Sequence, residues 1–581
     1  MIQDSTASGG PGLTTDKFAA AQTAALLVSH GVRHAVISPG SRNAPLIVAL
    51  SRQSGINCLS VIDERSAAFV ALGLAVQSGE PVAVVCTSGT ALLNFAPAVA
   101  EAFYRRVPLI VISADRPSQW IDQDDSQTIV QPGSLSNIVK LTHDIPSDAD
   151  MTPDGRWLSN RLVNDALLTA MEAPRGPVHI NLRLDAPLNG RAKAPENVRV
   201  INSLTSRPDL TVSESRSLAS RLAPPCRVLV VAGFSEPSHR LSRAMSRMSA
   251  IPNVAVLTEN IANIHADGAL GNIDMLLASL TSGQKRDMMP DVVITTGGAL
   301  VSRFVKEWLR SSPVTMQHWH VGRPRTTVDC FRRLTLRVDM DADTFMSQLA
   351  SALTPFRDSV SDYGARFREA HKAAMKRAES YGSSAPWSDF TAFRIMTGMI
   401  PPSVNLHLSN GTPIRYAQLF DCSRLHRVNC NRGVSGIDGS TSTALGAAIA
   451  YKGGQTLLIT GDMSAQYDIA ALTSKLMPSR LKIVVMDNGG GGIFRFIAST
   501  RSLPEVEERF ACAPLVGQRW DLIAPAFGLT YFEASDAETL TDAFEKLLDC
   551  PNAALLSVKT DSQMSAETLT GYFDYLKNQN I

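Results

Sequence analysis

Two apolar runs decide the fold. Leu457-Leu458-Ile459-Thr460 leads into Gly461-Asp462, and Lys482-Ile483-Val484-Val485-Met486 leads into Asp487-Asn488-Gly489-Gly490-Gly491-Gly492. Each run has the length of one strand and shows no polar alternation beyond the leading Lys482, so each reads as a strand buried on both faces. A helix-like stretch lies between them. Strand, helix, strand is the unit of a parallel sheet with crossovers, and such sheets bind ligands beyond the carboxyl ends of their strands. Asp462 and Asn488, 26 residues apart, stand at two such ends.

The pattern recurs outward from this pair. Toward the N-terminus a helix over 16–30 precedes the strand His34–Ser38 and the turn Pro39-Gly40-Ser41-Arg42. Further strands are read at Val82–Cys86 and Leu109–Ser113, with a helix from Arg65 to Ser78 and another after Thr90. A middle series has strands at Val228–Val231, Val254–Leu257 and Val292–Thr295, after an Arg-, Pro- and Ser-rich linker near 190–225. The last series adds Asn405–Leu408 and Leu555–Val558. The expectation is an α/β protein of three doubly wound, mostly parallel-sheet domains: 1–190, 191–355 (with linkers) and 356–581.

Bulk composition narrows the function. The 581 residues are 44% hydrophobic and 19% charged, with a net charge of +1. No global basic field argues for nucleic acid, and no apolar run approaches a membrane span, so neither nucleic-acid binding nor membrane insertion is expected. The eight cysteines show neither C-x-x-C pairs nor zinc spacing, which reads as reduced thiols in a cytoplasmic protein.

The chemistry sits at the strand ends. Mg²⁺ takes oxygen ligands in octahedral geometry, usually one or two side chains with phosphates and water. Asp462 and Asn488 offer two such oxygens, and the glycines after Asn488 let backbone approach a diphosphate. The same residue types are common in ordinary strand-end turns, which is the plainer alternative. Val61-Ile62-Asp63-Glu64-Arg65 reads as an apolar strand ending in an acidic pair before a helix. The pair either caps that helix or supplies a functional carboxylate.

Several strings carry a resemblance. They are Ser38-Pro39-Gly40-Ser41-Arg42-Asn43, Asp63-Glu64-Arg65, Thr87-Ser88-Gly89-Thr90, Ala114-Asp115-Arg116-Pro117, Gln127 to Gln131-Pro132-Gly133, Asn431-Arg432-Gly433-Val434-Ser435-Gly436-Ile437-Asp438-Gly439 and Gly461-Asp462-Met463-Ser464. In this order they resemble the family of thiamine-diphosphate (ThDP) enzymes that make 2-succinyl-5-enolpyruvyl-6-hydroxy-3-cyclohexene-1-carboxylate (SEPHCHC) in menaquinone biosynthesis. The resemblance spans nearly the whole chain and is weakest in the middle.

It implies pyrimidine-binding, central and diphosphate-binding domains. It also implies decarboxylation of 2-oxoglutarate and a Stetter-like 1,4-addition of the succinyl unit to isochorismate. The implied cofactors are ThDP and Mg²⁺, with Mn²⁺ as a substitute, in a homodimer or homotetramer with active sites at the subunit interface. Asp462, Asn488 and the Gly490 carbonyl are the implied metal ligands. Glu64 is implied to activate the cofactor, with Gln127 and Arg432 also catalytic. Thr87, Ser88, Gly89, Ile437 and Ser464 are expected to contact the cofactor. Ser41, Arg42 and Arg116, with Gln127, are expected on the isochorismate side. Arg303, Arg415 and Arg432 complete an anion-binding surface, because the planar guanidinium fork suits a carboxylate.

The chain departs from the family pattern at Gly411, where a serine is usual, and at Arg303, where a lysine is usual. Two other readings stand beside this one: a ThDP carboligase or decarboxylase for another 2-oxo acid, and a catalytically inactive ligand-binding relative. A nicotinamide dehydrogenase would need G-x-G-x-x-G between strand and helix, and no such string occurs.

Overall fold

The computed structural model describes residues 13–195, 198–496, 500, 502, 503, 505, 506, 509 and 518–578. They build three parallel sheets, each doubly wound by helices, in two compact units. One unit holds the described residues up to 205 with the short segments 441–452 and 473–476; the other holds the remaining described residues.

The first unit contains a six-stranded sheet in the order Asn57–Ser60, His34–Ile37, Val82–Cys86, Leu109–Asp115, Val178–Arg183, Thr142–Ile145, all parallel. Strands Val82–Cys86 and Leu109–Asp115 are buried at every residue, as a sheet covered on both faces requires. A small antiparallel pair joins Leu13–Thr15 to Arg191–Lys193. The helix Glu64–Ser78 crosses the helix Ser440–Ala450 at two glycines. A Cβ on Gly73 would lie inside the Thr443 carbonyl, 2.9 Å from its carbon, and one on Gly446 would do the same to Val70.

The second unit contains two sheets. One has five parallel strands in the order Val254–Thr258, Val228–Ala232, Val292–Thr296, Gln317–Val321, Leu334–Val338. The other has six parallel strands: Arg427–Cys430, Asn405–Leu408, Thr456–Gly461, Leu481–Asp487, Ala554–Lys559, Thr530–Ala534.

In each sheet the first crossovers run in opposite directions from one pair of neighbouring strands, and a crevice opens between those two strands. In the first sheet the reversal lies between His34–Ile37 and Val82–Cys86; in the last it lies between Asn405–Leu408 and Thr456–Gly461. The turns quoted from the sequence, at Ser38–Arg42, Thr87–Thr90, Asn410–Gly411 and Gly461–Asp462, follow these four strands.

One element differs from expectation. The strand before Glu64 ends at Ser60, and Ile62 is 84% exposed instead of lying in a buried strand. The apolar Val61-Ile62 pair is a turn, closed when the Asp63 carboxylate accepts a hydrogen bond from Ser66 N and caps the helix. No disulfide joins any two of the seven cysteines within the described residues; Cys512 lies outside those residues.

Candidate active site

The strand Thr456–Gly461 delivers Asp462 to the first position of a short helix, where Asp462 Oδ1 accepts from Met463 N at 2.7 Å. Asp462 is 4% exposed. Burial, with Asp487 and Asp389 close by, pushes its carboxyl up to about 7, against the pull of the Met463 and Gly490 N–H groups.

Asn488 follows the neighbouring strand and is also buried. Its Nδ2 donates to Asp389 Oδ2 at 2.9 Å, which turns its amide oxygen the other way. Asp389 was not foreseen from the sequence. It is fully buried, is also held by Thr560 Oγ1 at 2.5 Å, and burial raises its carboxyl.

Gly489, Gly490 and Gly491 have φ of 83°, 86° and 70°, a run that side chains would strain. The sulfur of Met463, next to Asp462, accepts the Gly491 N–H at 3.1 Å. Ser464 Oγ donates to the Ile437 carbonyl at 2.7 Å, so two expected cofactor contacts are tied together.

These residues fit a divalent cation bridged to a diphosphate. Among the described residues no three His, Cys, Asp or Glu side chains form a closed metal cage. Among the described residues there is one buried carboxylate with no cation acting on it, one oriented amide and a glycine cradle. That donor set leaves most of an octahedron to phosphate and water oxygens.

Beside it lies an arginine group. Asn410 organises it: its Oδ1 accepts from Arg432 Nη1 at 3.0 Å, and its Nδ2 donates to the carbonyls of Asn431 and Gly436. Gly411 has φ 95° and ψ −129°, a glycine conformation, which accounts for the departure from serine there. Arg415, on the helix Thr412–Ala417, is half-buried. Burial and then the charges of Arg303 and Arg432 lower its pKa, while Asp274 opposes them. The Nε atoms of Arg415 and Arg432 are buried with no acceptor among the described residues. A surface of like charges with unused donors is made for an anion.

The first unit gathers a second group. A Cβ on Gly40 would come 2.5 Å from Thr87 Cβ, so the Pro39–Arg42 turn rests on the Thr87–Gly89 loop. Gly89 has φ 84°, and a Cβ there would meet Gln127 at 3.4 Å. Gln131, fully buried, accepts from Gly89 N at 2.8 Å and donates to the Ala114 carbonyl at 3.2 Å. Arg42 donates to the Leu184 carbonyl at 2.9 Å and is close enough to Arg116 to have its pKa lowered by burial and that charge. Arg116 pairs with Asp125 at 2.5 Å. The hydroxyls of Thr87 and Ser88 are buried without a hydrogen-bond partner among the described residues.

Ser41 and Gln127 are exposed, and Glu64 is half-exposed at the first turn of its helix, with Asn94 Nδ2 at 3.5 Å. The structure thus brings Arg303, Arg415 and Arg432 together in one unit and Arg42 and Arg116 in the other, while Glu64 stands with Asn94. Gln131, Asp389 and Asn410 act by holding others. The Gln131-Pro132-Gly133 string signalled one of them and the Asn410-Gly411 pair before Arg415 a second, while Asp389 had no signal.

Comparison with known proteins identifies the family. Residues 18–134 match the thiamine pyrophosphate enzyme N-terminal TPP binding domain, and residues 411–558 match the C-terminal TPP binding domain. A 2-succinyl-5-enolpyruvyl-6-hydroxy-3-cyclohexene-1-carboxylate synthase from Porphyromonas gingivalis is 38% identical, over 95% of this chain and 96% of that one. Synthases of the same name from Bacteroides fragilis and Flavobacterium psychrophilum are 37% and 35% identical, over 97% and 94% of this chain and 100% and 96% of theirs. With both cofactor-binding domains present and likeness running end to end, the chain belongs to the SEPHCHC synthase family of thiamine pyrophosphate enzymes.

Proposed function

We propose that this protein decarboxylates 2-oxoglutarate and adds the resulting succinyl unit to isochorismate, giving SEPHCHC for menaquinone biosynthesis. The observation that carries the reading is the pairing of two features in one unit: the buried Asp462 facing a left-handed glycine run, and beside it three mutually close arginines, two of which, Arg415 and Arg432, have unused buried donors. Bound ThDP would supply a nucleophilic carbon and an electron sink for decarboxylation.

The chain's own residues do the rest. Asp462, Asn488 and the Gly490 carbonyl hold Mg²⁺, or Mn²⁺ in its place. Thr87, Ser88, Gly89, Ile437 and Ser464 pack the cofactor. Glu64 holds a proton at the aminopyrimidine ring nitrogen, and Gln127 and Arg432 act on the reacting groups. Arg303 and Arg415, with Arg432, bind carboxylate on one side, and Ser41, Arg42 and Arg116 do so on the isochorismate side. Arg116 must then exchange Asp125 for substrate.

The domains are 1–190, 191–355 and 356–581, and the protein works in the cytoplasm as a homodimer or homotetramer with active sites at the subunit interface. No helix among the described residues is long and apolar enough to cross a membrane.

The test is to incubate the purified protein with ThDP, Mg²⁺, 2-oxoglutarate and isochorismate. Isochorismate loss should depend on cofactor and release one CO₂ per adduct, with the adduct mass confirmed. ThDP binding without that reaction would refute the substrates, and no ThDP binding would refute the reading as a whole.

A further inference from the structure

Glu259 follows the central-sheet strand Val254–Thr258 and is 3% exposed. Among the described residues its carboxylate accepts hydrogen bonds from backbone alone: Val301 N at 2.7 and 2.9 Å, and Ser302 N at 2.7 Å. Ser302 caps the helix Arg303–Arg310, and its hydroxyl also donates to Asp274. Two acids from two different elements therefore hold the turn that begins at Arg303.

The same segment reaches the second arginine. Asn260 N donates to Gln418 Oε1 at 3.1 Å, and Asn260 Nδ2 donates to the Ala417 carbonyl at 2.7 Å, at the end of the helix that carries Arg415. Arg432 and Asp274 act on Glu259 directly, and Lys306 feels its charge. Arg415 and Glu307 face Asp274, and Arg303 faces Arg415. Cations thus gather at Arg303, Lys306, Arg415 and Arg432, with Glu259, Asp274 and Glu307 as the acids.

We propose that Glu259 is a positioning residue that presents Arg303 to Arg415 and Arg432, and that it takes a proton from solvent when a substrate carboxylate enters this arginine group. The proposal rests on the reading above that the group binds a substrate dicarboxylate.

Its sign follows from charge. Ionised, Glu259 cancels part of the field that attracts the anion; neutral, it does not. Burial, outweighing the Ser302 and Val301 N–H groups, already pushes its carboxyl up to about 7. A bound anion raises it further, so binding is tight below neutrality and weakens as pH rises through 7. Both substrates remain dianions over that range, since free carboxyl groups titrate near 3.5–4.5.

The experiment uses holoenzyme with ThDP and Mg²⁺ and measures KM and kcat for each substrate from pH 6 to 8.5. Arg415→Met and Arg432→Met first identify the substrate whose KM depends on the group. For that substrate the wild-type KM should rise by roughly tenfold between pH 6.5 and 8.5, with kcat changing little. Glu259→Gln should have a low KM that varies less than about twofold over the same range.

A flat wild-type KM overturns the proposal without need of any variant. A Glu259→Gln enzyme that keeps the wild-type slope overturns it as well. If the arginine variants leave both KM values unchanged, the carboxylate-binding reading falls first, and this proposal falls with it.

Discussion

The crossing of the helices Glu64–Ser78 and Ser440–Ala450 permits a worked prediction. Gly73→Ala places a methyl inside the Thr443 carbonyl, 2.9 Å from its carbon and 3.0 Å from Ala447 N. Both obstacles are backbone, so no rotamer can move aside, and the helices must part by about 1 Å, forfeiting much of the dispersion along the contact. Overpacking of this kind costs up to about 3 kcal/mol, and the helix preference for alanine returns roughly 1 kcal/mol. Gly73→Ala should therefore lose about 2 kcal/mol, and Gly446→Ala, blocked by Val70 in the same way, should lose a similar amount. One parting of the helices serves both methyls, so the double variant should lose about 1 kcal/mol less than the two single losses together. Urea midpoints of the four proteins, followed by circular dichroism, measure this. A neutral or stabilised Gly73→Ala, or strictly additive losses, would refute the reasoning.

Other outcomes can be checked as directly. Glu64→Gln should bind ThDP normally yet lose turnover by about 100-fold or more; near wild-type rates would reject its role. Asp462→Ala should weaken Mg²⁺-dependent ThDP binding by at least about tenfold in calorimetry, and unchanged affinity would remove it from the metal site. Burial lowers the pKa of His179 to about 4 from 6.5. The unfolded chain is therefore protonated first as pH falls. The stability this group contributes is complete above pH 6.5 and is lost toward pH 4, by about 3 kcal/mol. His179→Asn should flatten the fall of Tm over that window, and an unchanged slope would show that His179 does not drive it.

Much of the fold was legible because parallel strands buried on both faces are written as continuous apolar runs. Val82–Cys86 and Asn405–Leu408 were read to the residue, and Thr456–Gly461 to within one at each end. Val61-Ile62 misled because the buried Val61 is followed by an exposed Ile62 outside any strand, and only the Asp63 cap, a local contact, ends the ambiguity. In the site, residues that would touch ligand sit in turns with recognisable strings. The residues that hold them do not. Asp389 reaches Asn488 across 99 positions, and Glu259 reaches Val301 across 42. Neither pairing leaves a spacing that periodicity could reveal. Gly411 looked like a lost hydroxyl, and its φ of 95° shows what a glycine permits there instead.

The first unit is closed by residues 441–452, which the ribosome makes long after residue 205. At roughly 5–20 residues per second, synthesis of the intervening chain takes on the order of 10–50 s. Through that interval the glycine face of the helix Glu64–Ser78 has no partner within its own unit, although the six strands of its sheet have already emerged. A truncated chain ending near residue 205 would keep that face bare permanently. The nascent protein must therefore keep a nearly finished sheet from associating with its neighbours on the same message until a distant helix arrives.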